Sequence, residues 1–450
     1  MLSQRKSSRV YQIVRIFLII YICLFWEFCR LSLILPLHMN TLEQACSDIL
    51  MKNMNYSDEC IYVLYDTESP LAKLLSEAYI WAISDQAARI RKDKVCIREF
   101  KKPPQPLYRG GMINPDNPHL NEQNRIITSH NISENMAVGL DHHEKYGIPI
   151  NNDPQWQAEE ILTEQEWQIA SIKNELISLP KGSIVILIQS TNFRLSTFRI
   201  RLELFHLGIH VVEFNHLAYI PDGEIDTFIQ SLAYRTPEYV RLERRFSDLI
   251  EKNNLDLTGQ NPLTTRIESI SWDILTFWSL EKIRGNTGDY TNVTNKWGTF
   301  PIGEVFTEAM DLTSVEGKCL VESYPNDDFS VNICEPFELS IEKGRVLPSP
   351  DFPPEFQKLY DWVILYEWEM MVRELGFGLN PAISTTTPLS DINFYERKLG
   401  VHLSLGKKHG IYGKKLPKTE IQRFHIDVFV ALAGVYIGSK RVFQDGKWII

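Results

Sequence analysis

The spacing of apolar residues changes along the chain, and the first clear pattern begins after Cys60. The segment IYVLYDT at 61–67 indicates an apolar strand. At 69–91 the apolar residues of SPLAKLLSEAYIWAISDQAARIR recur with the 3.6-residue period of a helix, and KVCIREF at 94–100 alternates like a second strand. The three segments together predict a βαβ unit.

A second unit of the same kind follows. GSIVILIQS at 182–190 and IHVVEF at 209–214 are predicted strands, and FRLSTFRIRLELFHLG at 193–208 is a predicted helix that ends at Gly208. Two βαβ units in succession predict an α/β N-terminal domain with a parallel sheet. We place this domain at residues 39–260.

The second half of the chain has a different pattern. After a charged helix predicted at 238–254, short segments alternate with period two, which indicates strands. These segments lie at 314–323, 330–347 and 400–406. Between them, PEFQKLYDWVILYEWEMMVREL at 354–375 has the period of one long amphipathic helix. The pattern predicts an α+β C-terminal domain at 261–450.

Residues 1–38 stand apart from both domains. A basic start precedes the apolar run IFLIIYICLFW at 16–26, which Arg15 and Glu27 bound. The run is therefore shorter than the roughly 17 to 25 residues that a bilayer-spanning helix needs. We interpret residues 1–38 either as a weak membrane anchor or as a dispensable extension upstream of a start at Met39.

Composition narrows the class of protein. With 44% hydrophobic and 23% charged residues, the chain is typical of a globular enzyme and not of a disordered or collagen-like protein. Its formal charge of -10 opposes binding to nucleic acid, which we do not expect as a partner. The 7 cysteines are scattered and never spaced C-x-x-C, which favours a reducing compartment. We expect a cytoplasmic protein, membrane-associated only if residues 1–38 form an anchor.

A histidine and an aspartate stand at the head of the apolar run RFHIDVFVALAG at 423–434. In a strand, residues i and i+2 project from the same face, so His425 and Asp427 can reach one point. Such a pair is either hydrogen-bonded inside a core or holds a metal ion. A bound metal would offset the cost of placing polar groups in an apolar setting.

Three further residues carry metal-binding side chains in regular elements. Glu304 follows a Pro- and Gly-containing turn, Glu374 is predicted at the end of the helix at 354–375, and His402 lies inside an alternating strand. With His425 and Asp427 they form the ligand inventory of a binuclear divalent-metal site. Hydrolysis by an activated water is the natural reaction of such a site.

These segments resemble the motifs of a known family, the aminopeptidase T family of metallopeptidases, also called thermophilic or leucyl aminopeptidases. The similar segments, in the family's order, are GEVFT at 303–307, ELGFGLNP at 374–381, HLSLG at 402–406 and HID at 425–427. The resemblance runs from about Met39 to the C terminus. It implies a homodimer and a metal-dependent peptidase.

The resemblance also implies the ligands. Carried over position by position, the family's metal ligands fall on Glu304, Glu374, His402, His425 and Asp427. The implied cofactors are two divalent metal ions, which are zinc, cobalt, manganese or magnesium.

One position departs from the family pattern. Where the family has a tyrosine beside the metals, this chain has His409, and Tyr412 stands nearby in the sequence. An imidazole titrates at about pH 6.5 and a phenol at about pH 10, so the exchange changes the available proton chemistry. We expect His409 or Tyr412, together with Glu304, to provide the catalytic groups.

The sequence alone is compatible with three functions. The leading one is an aminopeptidase that hydrolyses peptides or related small molecules at their N-terminal residue. A ring-cleaving hydroxypyridine dioxygenase with one ferrous ion is similar in fold, but the presence of both Glu304 and Glu374 favours two metals and hydrolysis. The third is a specialised biosynthetic relative with lost or redirected activity, which the histidine at position 409 suggests.

Overall fold

The structure is a computed structural model that describes residues 41–100, 174–190, 207–254, 264–291, 296–326, 330–409 and 420–450, with a few single residues between these ranges. The strands, in chain order, are β1 (Ile61–Tyr65), β2 (Val95–Glu99), β3 (Ile184–Ile188), β4 (His210–Phe214), β5 (Thr264–Ser269), β6 (Ile274–Trp278), β7 (Arg284–Asn286), β8 (Trp297–Thr299), β9 (Glu304–Thr307), β10 (Glu316–Pro325), β11 (Val331–Glu342), β12 (Arg345–Val346), β13 (Val372–Gly378), β14 (Gly400–Leu405), β15 (Ile426–Val430), β16 (Leu432–Ile437), β17 (Lys440–Gln444) and β18 (Lys447–Trp448). The α-helices are Pro70–Asp85, Ile225–Ser231, Thr236–Asn254, Pro354–Glu367 and Ile392–Tyr395.

The first half of the chain supplies four strands of a five-stranded parallel sheet, whose order is β2-β1-β3-β4-β8. Helix Pro70–Asp85 connects β1 to β2. It begins where the Ser69 hydroxyl accepts the N–H of Ala72, with a proline in the first turn. Strands β3 and β4 are buried along their whole length, as expected of parallel strands covered on both faces. The predicted parallel βαβ architecture is confirmed in the described part.

One strand of this sheet comes from beyond the predicted domain boundary. Strand β8 pairs in parallel with β4, with Trp297 opposite Val211. The Trp297 indole N–H also donates to the buried Glu213 carboxylate at 2.7 Å. The two halves of the chain therefore share a sheet, and the division into domains at residue 260 stays a prediction.

The second half builds an antiparallel sheet of 13 strands. Its main order is β18-β17-β16-β5-β6-β10-β15-β14-β13-β9-β7, and β11 and β12 continue from β10. The segments predicted as strands from their period-two alternation fall on β10, β11, β12 and β14. The chain is thus a mixed α/β protein with one parallel and one antiparallel sheet.

One predicted element is wrong. The helix predicted over 354–375 ends at Glu367, and Val372–Gly378 forms β13. Trp368 adopts the left-handed backbone conformation at φ 69°, and its N–H caps the last helical turn. The following residues pair with β14 on one edge and β9 on the other, and this tertiary pairing outweighs their helical period. Glu374 therefore lies inside a strand and not at the end of a helix.

Two predictions fall on segments that the structure does not describe. Residues 1–38 lie outside the described residues, and so does most of the helix predicted at 193–208. Within the described ranges, none of the helices has the length and apolar character needed to cross a bilayer.

An aromatic cluster fastens the C terminus to the middle of the antiparallel sheet. Phe246 stacks on Phe377 of β13, with ring centroids 4.7 Å apart and an interplanar angle of 18°. Trp448 packs edge-on against both rings, and its indole N–H donates to the Gly378 carbonyl at 2.9 Å. The cluster joins helix Thr236–Asn254, β13 and β18.

We expect Phe246→Ala to lower the free energy of unfolding by about 3 to 5 kcal/mol, because the change removes a buried ring and leaves a cavity. Urea unfolding followed by circular dichroism measures the loss. Leu365→Ala removes a side chain that is 67% exposed and should change the free energy by less than about 0.5 kcal/mol. Equal losses in the two variants would contradict the core role of Phe246.

Candidate metal centre

The neighbouring strands β15, β14, β13 and β9 carry four of the predicted ligands on one face of the antiparallel sheet, and the fifth, His425, directly precedes β15. Ser404 of β14 pairs with Glu374 on one side and with Asp427 on the other. Its hydroxyl donates to the Asp427 carboxylate at 2.5 Å. His402 precedes Ser404 by two residues and so projects from the same face. The register therefore brings Glu374, His402 and Asp427 together from three strands.

Gly376 makes room for the His402 imidazole. The two residues lie opposite each other on β13 and β14. A Cβ atom built on Gly376 would lie 2.0 Å from Nε2 of His402, so any side chain there would displace the ring. The glycine is required by close approach.

Glu304, Glu374 and His402 form a compact buried group. Nε2 of His402 lies 3.3 Å from Oε1 of Glu304 and 3.5 Å from Oε1 of Glu374. One potential ligand atom from each residue lies within 4.8 Å of the others, so the group could bind a metal ion. A buried imidazole nitrogen between two carboxylate oxygens is a donor set that suits a divalent metal.

A second group lies at the other oxygen of Glu374. Oε2 of Glu374 lies 2.7 Å from Nε2 of His409, and the His409 ring centroid is 5.7 Å from that of His425. Nε2 of His425 lies 3.2 Å from Oδ1 of Asp427, so this pair shares a face as its spacing predicts. His409, and beyond it His425 and Asp427, therefore lie on the other side of Glu374. Among the described residues, the ligand atoms that all lie within 4.8 Å of one another are those of Glu304, Glu374 and His402, and the roles of His425 and Asp427 as ligands stay predictions.

Tyr412 lies beside the site, but its hydroxyl group is engaged elsewhere. Its ring centroid is 5.1 Å from that of His409, and its O–H donates to the Lys282 carbonyl at 2.6 Å. Burial, with the negative charge of Glu374, raises the pKa of the Tyr412 phenol. Of the two predicted proton-transfer groups, His409 is therefore the one that contacts a predicted ligand.

The charges of the site compensate one another. Burial alone would raise the pKa of Glu374, but hydrogen bonds from His402 and His409 hold that pKa well below its usual range. Burial opposes the ionisation of Asp427 too, yet the adjacent His425 lowers the Asp427 pKa. Burial would lower the pKa of His402, but hydrogen bonds to Glu304 and Glu374 raise it well above 6.5.

The pair Glu396 and Arg397 lies buried next to Glu304 and was not predicted from the sequence. Nη1 of Arg397 lies 3.4 Å from Oε2 of Glu304 and pairs with the Glu396 carboxylate. Arg397 also donates to the Asn393 carbonyl at 2.5 Å. Burial raises the pKa of Glu396 well above its usual range despite the charge of Arg397. The segment YERKLG at 395–400 has no helical or strand period. The adjacent opposite charges of Glu396 and Arg397 were the signal in the sequence that could have indicated this pair.

Comparison with known proteins shows similarity in fold. No protein-family model matches the sequence, and no curated protein matches it. The structure of 2,5-dihydroxypyridine dioxygenase from Pseudomonas putida KT2440 has a TM-score of 0.50 and 15% identity, over 91% of this chain and 96% of that chain. Wild-type AmpT from Thermus thermophilus has a TM-score of 0.50 and 12% identity, over 91% of this chain and 99% of that chain. These matches support a distant aminopeptidase T-like fold and do not identify the reaction.

Gly376→Ala should force the His402 ring out of place, lower the free energy of unfolding by about 1 to 3 kcal/mol and weaken binding of divalent metal. Urea unfolding and zinc titration measure the two effects. Gly434→Ala is the matched control, because its added Cβ would meet flexible side-chain ends at 3.1 Å or more. Metal binding unchanged in Gly376→Ala would contradict the placement of His402.

Acid unfolding of the metal-free protein tests the buried charges. Because the pKa of Glu374 is lower in the folded chain, its ionised form stabilises the fold above the unfolded pKa of about 4.3, and acidification removes this contribution. With chelator present, the urea midpoint of the wild type should fall more steeply than that of Glu374→Gln as the pH falls below about 5, because the contribution is lost from the unfolded pKa downwards towards the lower folded pKa. Equal slopes would show that His402 and His409 do not hold Glu374 ionised.

Proposed function

We propose that the protein is a metal-dependent aminopeptidase that removes N-terminal residues from peptides with two divalent ions. The position of Glu374 carries this proposal. One of its oxygens faces His402 and Glu304, and the other faces His409. With Glu304 and His402, this carboxylate would help to hold divalent ions, which would supply an activated water for hydrolysis. The similarity in fold to AmpT is compatible with this function.

The side chains of the site fit divalent metals. Glu304, Glu374, His402, His425 and Asp427 would hold the ions, because carboxylates and imidazoles are ligands that zinc, cobalt and manganese accept. Divalent ions held there would polarise a carbonyl group and lower the pKa of water. The Ser404 hydroxyl orients Asp427 by donating to it.

In this proposal His409 transfers the proton during hydrolysis. Its Nε2 contacts Glu374, and its ring packs near Phe306 and Tyr412 in a buried setting. An imidazole can accept and donate a proton near neutral pH, whereas a phenol holds its proton there. His409 would therefore take a proton from the attacking water and pass it to the leaving amine. Tyr412, whose hydroxyl donates to the Lys282 carbonyl, packs against the His409 ring.

Metal content and peptidase activity test the proposal. We expect about two ions per chain in protein purified without chelator, and chelator-sensitive release of amino acids from peptides with a free N terminus. His425→Ala should lose bound metal and about 100-fold or more of the activity, because it removes a ligand and leaves Asp427 without that partner. Asp351→Ala, which changes an exposed carboxylate, is the control and should keep both.

A dioxygenase with one ferrous ion is the second candidate. Glu304, Glu374 and His402 form a three-residue group that could hold one ion, although it has two carboxylates and one histidine where the common ferrous triad has one carboxylate and two histidines. The fold is shared with a dioxygenase to the same TM-score as with AmpT. One iron per chain, with dioxygen uptake on 2,5-dihydroxypyridine and no amino-acid release, would overturn the peptidase proposal. Protein with neither metal nor activity would overturn both and favour a redirected relative.

A further inference from the structure

A single buried carboxylate binds three backbone N–H groups near the metal centre. Glu367 ends the helix Pro354–Glu367 and is fully buried. Its Oε2 accepts the N–H of Lys407 at 2.7 Å. Its Oε1 accepts the N–H of Phe424 at 2.7 Å and also that of Arg423. Hydrogen bonds to an ionised carboxylate are among the strong ones in proteins.

The three N–H groups belong to the two segments that lead into the site. Lys407 stands two residues before His409, and Phe424 stands directly before His425. The ladder between β14 and β15 ends at the pair Leu405 and Ile426. Both segments therefore lie just beyond the paired strands, where contacts other than the ladder must set their separation.

Further contacts surround the same point. The Lys408 N–H donates to the Phe424 carbonyl at 3.0 Å, and Nδ1 of His425 lies 3.0 Å from the Lys408 carbonyl oxygen. The Arg373 guanidinium donates to the Lys407 carbonyl. The two segments are thus joined to each other, and Glu367 contacts both of them from the helix side.

We propose that Glu367 is a positioning residue that sets the distance between His409 and His425 through the backbone of the segments before them. The consequence for metal binding rests on the function proposed above. Functional side chains must be held to within about 0.5 Å of their working geometry. One carboxylate shared by both segments fixes their relative position from a rigid helix.

The substitution Glu367→Gln should affect the two segments differently. Its amide has one oxygen, which can keep both N–H groups that share Oε1, from Arg423 and Phe424. The amide NH2 group then faces the Lys407 N–H, and two donors cannot pair. Glu367→Gln should therefore release the segment before His409 and keep the segment before His425.

Glu369→Gln is the matched control. Glu369 lies two residues further along and pairs with the Lys407 ammonium group at 2.9 Å, so it contacts the same residue through the side chain and not through the backbone. Its side chain is also more exposed than that of Glu367. A partly exposed ion pair contributes little.

Hydrogen exchange of backbone amides, measured without metal, shows whether the segment before His409 is released. In Glu367→Gln the Lys407 amide should lose protection while the Phe424 amide keeps it, and in Glu369→Gln both should stay protected. Zinc affinity, measured by competition with a chromophoric chelator, should fall about 10- to 100-fold in Glu367→Gln, because His409 contacts Glu374, one of the proposed ligands, and its displacement disturbs that ligand. It should change by less than about threefold in Glu369→Gln.

A double-mutant cycle separates positioning from general stability. In a His409→Ala background, Glu367→Gln should weaken zinc binding little further, because the two residues act through one segment. The same fold-loss in both backgrounds, or a Lys407 amide that stays protected in Glu367→Gln, would overturn the inference. If the wild type binds no zinc, the proposed function fails, and the exchange of the Lys407 amide still decides whether Glu367 holds that segment.

Discussion

The contact of the buried Glu374 carboxylate with two histidines is the interaction on which the centre of the antiparallel sheet depends. An ionised carboxylate inside a protein is costly unless it is paired, and His402 and His409 pair with its two oxygens. The surrounding sequence follows from this arrangement. Position 376 is glycine because the His402 ring lies over it. Charge pairing and steric fit therefore both restrict the residues at this part of the sheet.

Much of the fold was predictable because its signals are local. The strands of the parallel sheet and helix Pro70–Asp85 follow from apolar runs and a 3.6-residue period, and the side-chain parity of strands places His425 and Asp427 together. The long-range parts were not predictable. Strand β13 has a helical period and becomes a strand because neighbours pair with both edges. Glu367 gave no signal, because its partners are backbone N–H groups that any residue supplies.

The fold says less about the reaction than the polar side chains of the candidate metal centre do. A dioxygenase and AmpT match this chain equally well in fold, so the fold is a scaffold that accommodates more than one chemistry. The discriminating features are individual side chains: a buried carboxylate with a histidine at each oxygen, and an imidazole where the resembling family has a phenol. Both were visible in the sequence as residue types, whereas their mutual contacts required the antiparallel register of β13, β14 and β15.

The pairing of β8 with β4 bears on how the protein can be divided. The parallel sheet takes its edge strand from Trp297–Thr299, and the first residue of β9, Glu304, follows within a few residues. A fragment that stops at residue 260 would leave one edge of β4 open, and unpaired edges recruit other chains. The complementary fragment would carry a strand that has lost its sheet. Gene fusions, circular permutations and domain exchanges should therefore keep the two sheets in one piece and avoid junctions between β4 and β8.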